Sequence, residues 1–471
     1  MRPDLNPHLT VVAGALFVVG TAVTPLSAIA AEPRTLHFSG ACKTGAETTI
    51  AVAGDLLFHR RLQRQAYASP IGARSLFSPE MRKLIAAADV AYANFEGPAA
   101  HGIAGFGRRV RDPGRRMDGI VYNGYPAFNF HPSMIGGLRD VGFDIVSTAN
   151  NHSLDRGAIG ARRTIANMHR HAMPFTGTRA SRLTAGPPAY GDWSRLIRHR
   201  GFTTAWLACA EMTNGLPDRK RQVLMCHRDR SAVMRELARL HANPAIDAVF
   251  LTPHWGEENQ TRPRRRHRAY ARAAIEAGAT AVIGTHPHVV QPWEKIVTES
   301  GREGMAIYST GNFISGQVRP MQRGGVLGLL RLVRPKGEKV VLRSVGYIPS
   351  WVSFARGRRI VHPAARLPES RSVVRQMNRI LPVGNLVAAQ HPFRLPQTCP
   401  HLSAEAQRLA ALSNGRHPVV PGPRVAGRTD EGGFRDDAVR PRAAPQRPRR
   451  VAARASRRRS QGHPNPFNAN R

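Results

Sequence analysis

Five short apolar segments, each followed by a cluster of polar residues, constrain the fold of this chain more than any other feature. The segments are rich in Val, Ile, Ala and Thr, and they lie at residues 48–53, 90–93, 143–148, 245–253 and 280–285. Continuous apolar runs of this length are typical of parallel strands that are buried on both faces. The pattern therefore predicts an α/β fold built around such strands.

The polar clusters begin where the predicted strands end. They are Gly54-Asp55, Asn94-Phe95-Glu96, the segment from Asn150 to Asp155, the segment from His254 to Glu257, and His286-Pro287-His288. Ligands of open α/β sheets bind in a crevice beyond the carboxyl ends of the strands, so residues distant in sequence meet there. Each cluster alone has a simpler explanation, since Gly-Asp and Asn-rich sequences commonly form turns or helix caps. Taken together, the clusters predict one shared site.

The side chains in these clusters are of the kinds that bind divalent metals. The candidate ligands are two carboxylates, one amide oxygen and three imidazoles, namely Asp55, Glu96, Asn151, His254, His286 and His288. This mixture suits Zn, Mn or Fe, and a shared carboxylate would allow two ions as well as one. Two ions about 3.5–4 Å apart are a recurrent solution for the hydrolysis of phosphate esters.

Two further residues of the third cluster are candidates for catalysis. His152 follows the candidate ligand Asn151 and would protonate a leaving group. Asp155, three residues later, would orient that imidazole by a hydrogen bond. His286 and His288 alternate along the chain, so both would face the same side if their segment is extended.

Helical spacing separates the predicted strands, at residues 79–88, 157–171, 230–241 and 264–277. Ser78 is a good N-cap for the first of these helices, with Pro79 at its first position. Strand-like runs then follow without helices at 305–310, 326–333 and 339–348, and Pro335-Lys336-Gly337 predicts a hairpin between the last two. Adjacent strands after βα units predict a layered sandwich rather than a barrel. The Gly- and Arg-rich residues 102–124 are expected to form a long loop near the site.

The two ends of the chain differ in composition from its middle. Residues 1–30 have the charged start, apolar stretch and small-residue site of a secretory signal peptide, although an uncleaved membrane anchor remains an alternative. Residues 31–47 are interpreted as a polar lead-in and 48–402 as one domain. Residues 403–471 are rich in Pro and Arg and are expected to form a disordered basic tail. The mature chain is thus expected to be exported, and to lie in the periplasm or at the cell envelope.

The charge is strongly positive, with 69 Lys and Arg against 31 Asp and Glu, a formal net charge of +38. A net positive charge of this size attracts polyanions. A general compositional bias towards Arg at exposed positions would give the same net charge without any such partner. Specific binding of nucleic acid is disfavoured, because the tail lacks interleaved aromatic residues and export removes the usual partner.

Four cysteines in an exported chain are compatible with two disulfides in three possible pairings. Cys209 with Cys226 is the preferred pair, since these residues bracket a polar loop after an apolar run. Cys42 and Cys399 would then pair across the ends of the domain. Metal binding by these thiols is disfavoured because no Cys-x-x-Cys sequence is present.

Residues 50–349 resemble the CapA-type poly-γ-glutamate capsule biosynthesis family, a branch of the calcineurin-like metallophosphoesterases. The resemblance rests on Ala53-Gly54-Asp55, Asn94-Phe95-Glu96-Gly97, residues 149–157, His254-Trp255-Gly256-Glu257, Gly284 to Val289 with Gln291, and Ser309 to Phe313. It implies a four-layer α/β/β/α sandwich with a dinuclear centre. By that analogy Asp55 and His288 would serve one metal, Asn151, His254 and His286 the other, and Glu96 would bridge them.

Three positions depart from the broader metallophosphoesterase pattern. Leu57 stands where a His is usual, Glu96 where an Asp is usual, and Ser153 where an acid follows the catalytic-type His. One metal would therefore be short of a ligand. His59 would replace the missing imidazole only if the turn after Asp55 brings it round, and an exposed turn histidine is the ordinary alternative.

These features support two functional hypotheses. The first is an exported metal-dependent hydrolase that acts on or assists an anionic polymer or a phosphoester. The second is a non-catalytic scaffold that binds a polyanion within a membrane-associated complex for polymer synthesis or export. Metal content would distinguish them, because only the first requires an intact ligand set.

Overall fold

The structure is a computed structural model, and it describes residues 35–180, 193–355, 357–396 and 399. The predicted signal segment 1–30 and the predicted basic tail 403–471 lie outside the described residues. No helix within the described ranges combines the length and the hydropathy that a membrane crossing requires.

The strands of the described structure lie between Gly45 and Pro363. They are β1 (Gly45–Leu57), β2 (Val90–Phe95), β3 (Ile145–Ser147), β4 (Phe175–Thr176), β5 (Ser194–His199), β6 (Phe202–Ala210), β7 (Ala248–His254), β8 (Ala281–Ile283), β9 (Trp293–Val297), β10 (Glu303–Ile307), β11 (Asn312–Ser315), β12 (Gly324–Pro335), β13 (Val341–Ala355) and β14 (Arg358–Pro363). The helices are α1 (Arg60–Ala68), α2 (Pro79–Ala86), α3 (Ser133–Val141), α4 (Gly157–Arg170), α5 (Arg230–Ala242), α6 (Arg265–Glu276) and α7 (Arg371–Ile380).

The described strands form two mixed sheets. The first sheet has the order β14-β13-β12-β1-β2-β3-β4, and β11 also pairs with β1. The second sheet has the order β5-β6-β7-β8-β10-β9. Each sheet contains four neighbouring parallel strands, β1 to β4 in the first and β6, β7, β8 and β10 in the second. The carboxyl ends of each parallel set therefore share one edge.

The three larger hydrophobic cores of the described structure follow from the alternation of side chains along these strands. Ala51 and Ala53 of β1 point to a core shared with α1 to α4, whereas Val52 points to a core shared with the second sheet. On the far face of the second sheet, Leu207 packs in a core with α5 and α6. Adjacent residues of a strand face opposite sides, so one apolar run can serve two cores. The predicted α/β class is confirmed, and the four-layer sandwich stays a prediction with which these cores are consistent.

Aromatic stacking holds the two sheets against each other. Trp206 of β6 is fully buried between Tyr92 of β2 and Phe250 of β7, with ring centroids 5.2 and 4.4 Å apart. The indole Nε1–H donates to Thr204 Oγ1 at 2.9 Å, so the buried polar atom is satisfied. Stacked pairs of this kind add about 0.5–1.5 kcal/mol each beyond the area that they bury.

Local sequence signals explain several boundaries. Ser78 Oγ accepts a hydrogen bond from the Met81 backbone N–H at 3.1 Å and caps α2, as predicted. The predicted hairpin between β12 and β13 is confirmed, with Gly337 at φ +76° in its turn. Three helices, α1, α3 and α7, had no prediction from the sequence.

Both predicted disulfides are present, Cys209–Cys226 and Cys42–Cys399. The first ties the end of β6 to the segment before α5. The second joins the residues before β1 to a position near the end of the described chain. Before β1, Leu36 and Phe38 are buried, and Leu36 N–H donates to Asn385 Oδ1 at 2.7 Å.

Candidate metal centre

The candidate ligands lie at the carboxyl ends of parallel strands from both sheets. Asp55 lies near the end of β1 and Glu96 directly after β2, while Asn151 follows β3 in the same sheet. From the second sheet, His254 ends β7 and His286 follows β8. The site therefore lies where the carboxyl edges of the two sheets meet, rather than within one sheet.

Gly54 allows the backbone at Asp55 to approach its neighbour closely. A Cβ atom at Gly54 would lie 1.8 Å from the Gly311 carbonyl oxygen, so no other residue fits without moving the backbone. The Asp55 N–H donates to that same oxygen at 3.2 Å, and Asp55 pairs in register with Asn312 of β11. The Gly-Asp sequence is thus explained by packing, and the segment 311–313 forms the neighbouring backbone.

The first group of candidate ligands consists of Asp55, Glu96 and His288, which place donor atoms within 4.8 Å of one another. His288 Nδ1 lies 3.2 Å from Asp55 Oδ2, and His288 Nε2 lies 3.9 Å from Glu96 Oε1. All three residues are buried, none more than 2 % exposed. This first ligand group joins both sheets through the 286–288 segment.

The second group consists of Glu96, His254 and His286, again within 4.8 Å. His254 Nε2 is its centre, 3.0 Å from Asn151 Oδ1, 3.1 Å from His286 Nδ1 and 3.6 Å from Glu96 Oε1. Atoms bound to one ion at about 2.0–2.2 Å lie about 3–3.6 Å apart, which matches these separations. Asn151 therefore joins the second ligand group, as its fourth donor.

Glu96 belongs to both groups, and its surroundings indicate whether the site suits a bound cation. The side chain is fully buried, and neither carboxylate oxygen has a hydrogen-bond partner among the described residues. Burial raises the pKa of Glu96 well above its usual range, and the charges of Asp55 and Glu258 raise it further. A buried carboxylate without partners is costly unless a cation compensates it. The donor set fits a pair of divalent ions that share Glu96.

The imidazoles of the second group are neutral at pH 7. Burial lowers the pKa of His254 well below its usual value, and the neighbouring His286 and His288 lower it further. Burial, followed by the charge of His288, lowers the pKa of His286 to about 4. Neutral imidazole is the form that binds a metal.

The 286–288 segment differs from the sequence-based expectation. The segment is not extended, because His286 and His288 have φ angles of 99° and 59° in a bend around Pro287. Both imidazoles nevertheless lie at the same site, in the two groups that share Glu96. Left-handed backbone at residues other than Gly costs about 1–3 kcal/mol and is concentrated at functional sites. The bend also lets the His286 N–H donate to Asp55 Oδ2 at 3.3 Å.

Asn94 holds the ligands of the two sheets in register. Its Nδ2–H donates to Asp55 Oδ1 at 2.8 Å, and the same atom lies 3.1 Å from His254 Nδ1. His254 Nδ1 also lies 3.0 Å from Thr285 Oγ1, which leaves Nε2 to face the other donors. Outer contacts of this kind fix the tautomer and orientation of a metal-binding imidazole. Asn94 was part of a predicted cluster, but no role was predicted for it.

His152 and Asp155 are in direct contact beside the two ligand groups. His152 Nδ1–H donates to Asp155 Oδ2 at 2.8 Å, and the Phe128 backbone N–H donates to the same oxygen at 2.6 Å. Phe128 also packs edge-on against the His152 ring. This arrangement fixes the orientation of the imidazole. The 102–124 segment is irregular, as predicted, and it adjoins this corner through the approach of Gly107 to Gly157.

His59 is not a member of either ligand group in the described structure. It precedes α1, packs edge-on against Phe128, and its Nδ1 accepts a hydrogen bond from the Gly316 N–H at 3.1 Å. Burial lowers the pKa of His59 to about 4, and the charge of His288 contributes. The imidazole is therefore part of the packing beside the site, neither a replacement ligand nor an exposed turn residue.

Sequence reasoning missed a third cluster, which surrounds Glu211 at the end of β6. Glu211 Oε1 lies 2.7 Å from Arg266 Nη2 and 3.2 Å from His227 Nε2, and Oε2 lies 3.2 Å from His267 Nε2. Burial would raise the pKa of Glu211, but the hydrogen bonds from His267 and the Gly256 N–H and the charge of His267 outweigh burial and lower it to about 2. The signal available in the sequence was an acid directly after an apolar run.

Comparison with known proteins places the chain among capsule synthesis proteins. A family model described as "Bacterial capsule synthesis protein PGA_cap" matches residues 49–317, more than half of the chain. "Capsule biosynthesis protein CapA" of Bacillus anthracis is 29 % identical over 181 residues, which cover 38 % of this chain and 42 % of that protein. "PGA biosynthesis protein CapA" of Bacillus subtilis (strain 168) is 30 % identical over 187 residues, covering 38 % and 44 %. The matches thus span less than half the length of either relative.

Among solved structures, NAD nucleotidase of Haemophilus influenzae aligns with a TM-score of 0.40 at 11 % identity, over 79 % of this chain and 60 % of that chain. This similarity is too low to support an inference about activity.

Proposed function

Because this chain belongs to the bacterial capsule synthesis protein family, we propose that it is an exported, metal-dependent hydrolase of capsule polymer biosynthesis. Its substrate would be a phosphoester or an anionic polymer of the poly-γ-glutamate type. The family supplies the biological setting, and the chemistry is inferred from the side chains at the site.

One observation carries the proposal, namely that two groups of metal-binding side chains share Glu96. That carboxylate is fully buried and has no hydrogen-bond partner among the described residues. The side chains around it are a second carboxylate and neutral imidazoles, which also bind metal ions. Zn, Mn and Fe suit such nitrogen and oxygen donors. The chemistry supplied there by bound divalent ions is Lewis-acid activation of a water molecule and of a phosphoryl or carbonyl oxygen.

The protein itself supplies proton transfer and orientation. Asp155 accepts the Nδ1–H of His152, so His152 Nε2 is the atom that would carry a proton to a leaving group. Asn94 keeps Asp55 and His254 at a fixed separation, although they belong to different sheets. Burial of every ligand excludes bulk water from the inner side of the site.

Metal analysis combined with a substrate screen tests the proposal. The purified wild-type chain should contain divalent metal in a stoichiometric amount and should hydrolyse at least one member of a phosphoester and peptide substrate panel. The double substitution His286→Ala with His288→Ala should remove the metal and the activity. His152→Ala should remove the activity and keep the metal. Metal content that is unchanged in the double variant would rule the proposal out.

A second candidate function is supported by the net charge of +38. In this alternative the chain is a non-catalytic subunit that binds an anionic polymer within a membrane-associated synthesis or export complex. Binding of poly-γ-glutamate should then be weakened by salt and unaffected by Glu96→Gln or His152→Ala. Polymer binding that depends on Glu96 would favour the hydrolase instead.

Export to the periplasm or the cell envelope is part of the proposal. The two disulfides support it, because such bonds persist in oxidising compartments and are rare in reducing ones. Detection of the protein in a periplasmic or cell-wall fraction would test this part, and recovery in the cytoplasmic fraction would contradict it.

A further inference from the structure

The two ligand groups are unequal in number of donors. The second group has four, because Asn151 Oδ1 joins Glu96, His254 and His286. The first group has three, Asp55, Glu96 and His288. An ion held by the first group therefore has at least one position left for a further ligand.

Glu258 lies on the open side of the first ligand group. Its Oε1 is 4.0 Å from His288 Nε2, almost the same as the 3.9 Å between Glu96 Oε1 and that nitrogen. His288 Nδ1 faces Asp55 Oδ2, so the two glutamates flank the remaining ring nitrogen. The Glu258 side chain is 51 % exposed, whereas that of His288 is 3 % exposed. Glu258 thus lies on the solvent side of His288 Nε2, and Glu96 lies on the interior side of the same atom.

The position of Glu258 is set by anchored backbone on both sides. Before it, the Trp255 N–H donates to Thr285 O at 3.0 Å, and the Gly256 N–H donates to Glu211 Oε2 at 2.7 Å. After it, the Asn259 N–H donates to Pro287 O at 2.8 Å. Gly256 and Asn259 have φ angles of 98° and 65°, so the turn uses backbone conformations that favour Gly and Asn.

The cluster around Glu211 helps to fix the loop that carries Glu258. The partly buried carboxylate of Glu211 lies within 3.2 Å of His227, His267 and Arg266, and it accepts a hydrogen bond from the backbone two residues before Glu258. The same loop is tied to the 286–288 segment through Asn259. The loop that carries Glu258 is therefore hydrogen-bonded to the residue before His288, and this bond holds Glu258 and His288 at a fixed separation.

We propose that Glu258 is a metal ligand that completes the first group from the solvent side. This inference rests on the proposed function, since it requires that Asp55, Glu96 and His288 hold an ion. The Glu96 and Glu258 carboxylates both lie about 4 Å from His288 Nε2, and a shared cation would offset the repulsion between them.

The neighbouring residue provides a matched control. Glu257 belongs to the same loop and is similarly exposed, with 44 % of its side chain accessible, but it forms an ion pair with Arg264 and belongs to neither ligand group. Glu257→Gln and Glu258→Gln make the same change of charge at adjacent positions. Any difference between them in metal binding reports on position and not on net charge.

Isothermal titration with Zn²⁺ or Mn²⁺, together with elemental analysis of the full purified chain, tests the inference. The wild type should bind two ions. Glu258→Gln should weaken the binding of one ion by at least about tenfold. Glu257→Gln should change either affinity by less than about fivefold, the scale of an exposed charge pair. Glu258→Asp keeps the charge but shortens the side chain, so a ligand role predicts weakened binding and a long-range charge effect predicts none.

Circular dichroism should show all three variants folded, because both glutamates are exposed. If the wild type binds two ions and Glu258→Gln behaves as Glu257→Gln does, the inference about Glu258 is overturned and the proposed function stands. If Glu258→Asp binds both ions as tightly as the wild type, Glu258 acts through its charge and is not a ligand. If the wild type binds no divalent metal, both the proposed function and the inference are overturned.

Discussion

Replacement of Glu96 by Gln should change the stability of this protein in opposite directions with and without divalent metal. The substitution keeps the size and shape of the side chain and removes its charge. Glu96 is fully buried, and burial together with the charge of Asp55 raises the pKa of its carboxyl well above the usual range. It is also the one residue common to both ligand groups. A single change therefore tests the cost of the buried charge and the benefit of the metal.

The sign without metal follows from the direction of the pKa shift. An acid whose pKa is higher in the folded state keeps its proton there after the unfolded chain has released it. The metal-free wild type should therefore lose stability as the pH rises from about 4.5, the ordinary pKa, towards the raised value. The loss is about 1.4 kcal/mol for each pH unit over which only the folded state keeps the proton. Glu96→Gln has no such proton and should lose none of this stability.

The sign with metal is the reverse. Each ion that binds only the folded state contributes about 2.7 kcal/mol when its free concentration is a hundred times its dissociation constant. The wild type should gain this amount from both sites. The Glu96→Gln variant loses a ligand from both groups, so it should gain much less.

Urea denaturation followed by circular dichroism measures these free energies of unfolding. It should be run from pH 5 to pH 8 in chelator and in excess Zn²⁺ or Mn²⁺, with the exposed Glu299→Gln as a control that should follow the wild type throughout. The variant should be the more stable protein in chelator at pH 8 and the less stable one in metal. If the wild type and Glu96→Gln have the same order of stability in chelator and in metal, the argument that a bound cation compensates the charge of Glu96 is refuted.

Three further predictions concern other parts of the structure. Trp206→Ala removes the ring stacked between the sheets and should destabilise the protein by about 3–5 kcal/mol in the same urea assay. Metal affinity should also fall, because the site spans both sheets. Unchanged affinity would show that the stacking does not position the site. Replacing Cys209 and Cys226 by Ala opens a bridge with a sequence separation of 17 and should cost about 3 kcal/mol, which thermal or urea unfolding would detect. The pKa of Glu211 is lowered to about 2, so its contribution to stability should be present above about pH 4.5 and decline as the pH falls towards 2. Acid unfolding of Glu211→Gln that parallels the wild type would contradict this.

Much of the candidate site could be predicted because its signals are local. An apolar run that ends in Asp55, Glu96 or His254 can be recognised without knowing what lies beside it, since strand composition and donor chemistry are properties of short segments. The Ser78 cap and the hairpin around Gly337 are of the same kind. Their hydrogen bonds or turn angles involve residues that are adjacent in sequence.

Other parts of the site could not be predicted, because they depend on distant residues. Glu258 has no signal of its own in the sequence, and its position beside His288 follows only from a loop that is bonded to Thr285 and Pro287. Asn94 positions Asp55 and His254 because the two sheets bring these residues together. The bend at His286 and His288 was also missed, since His-Pro-His is compatible with extended backbone and only the surrounding contacts hold it in the left-handed region.

The sequence by itself determined the five strands that precede the candidate ligands, which donor atoms stand at their ends, and which cysteines are available to pair. Tertiary structure alone decided that the carboxyl edges of two different sheets meet, that Glu96 is enclosed without a hydrogen-bond partner in the described structure, and that Glu258 faces His288 from solvent. The physical reason is one of range. Strand formation and capping depend on neighbours along the chain, whereas the separation of two ligands depends on how the sheets pack across a shared core.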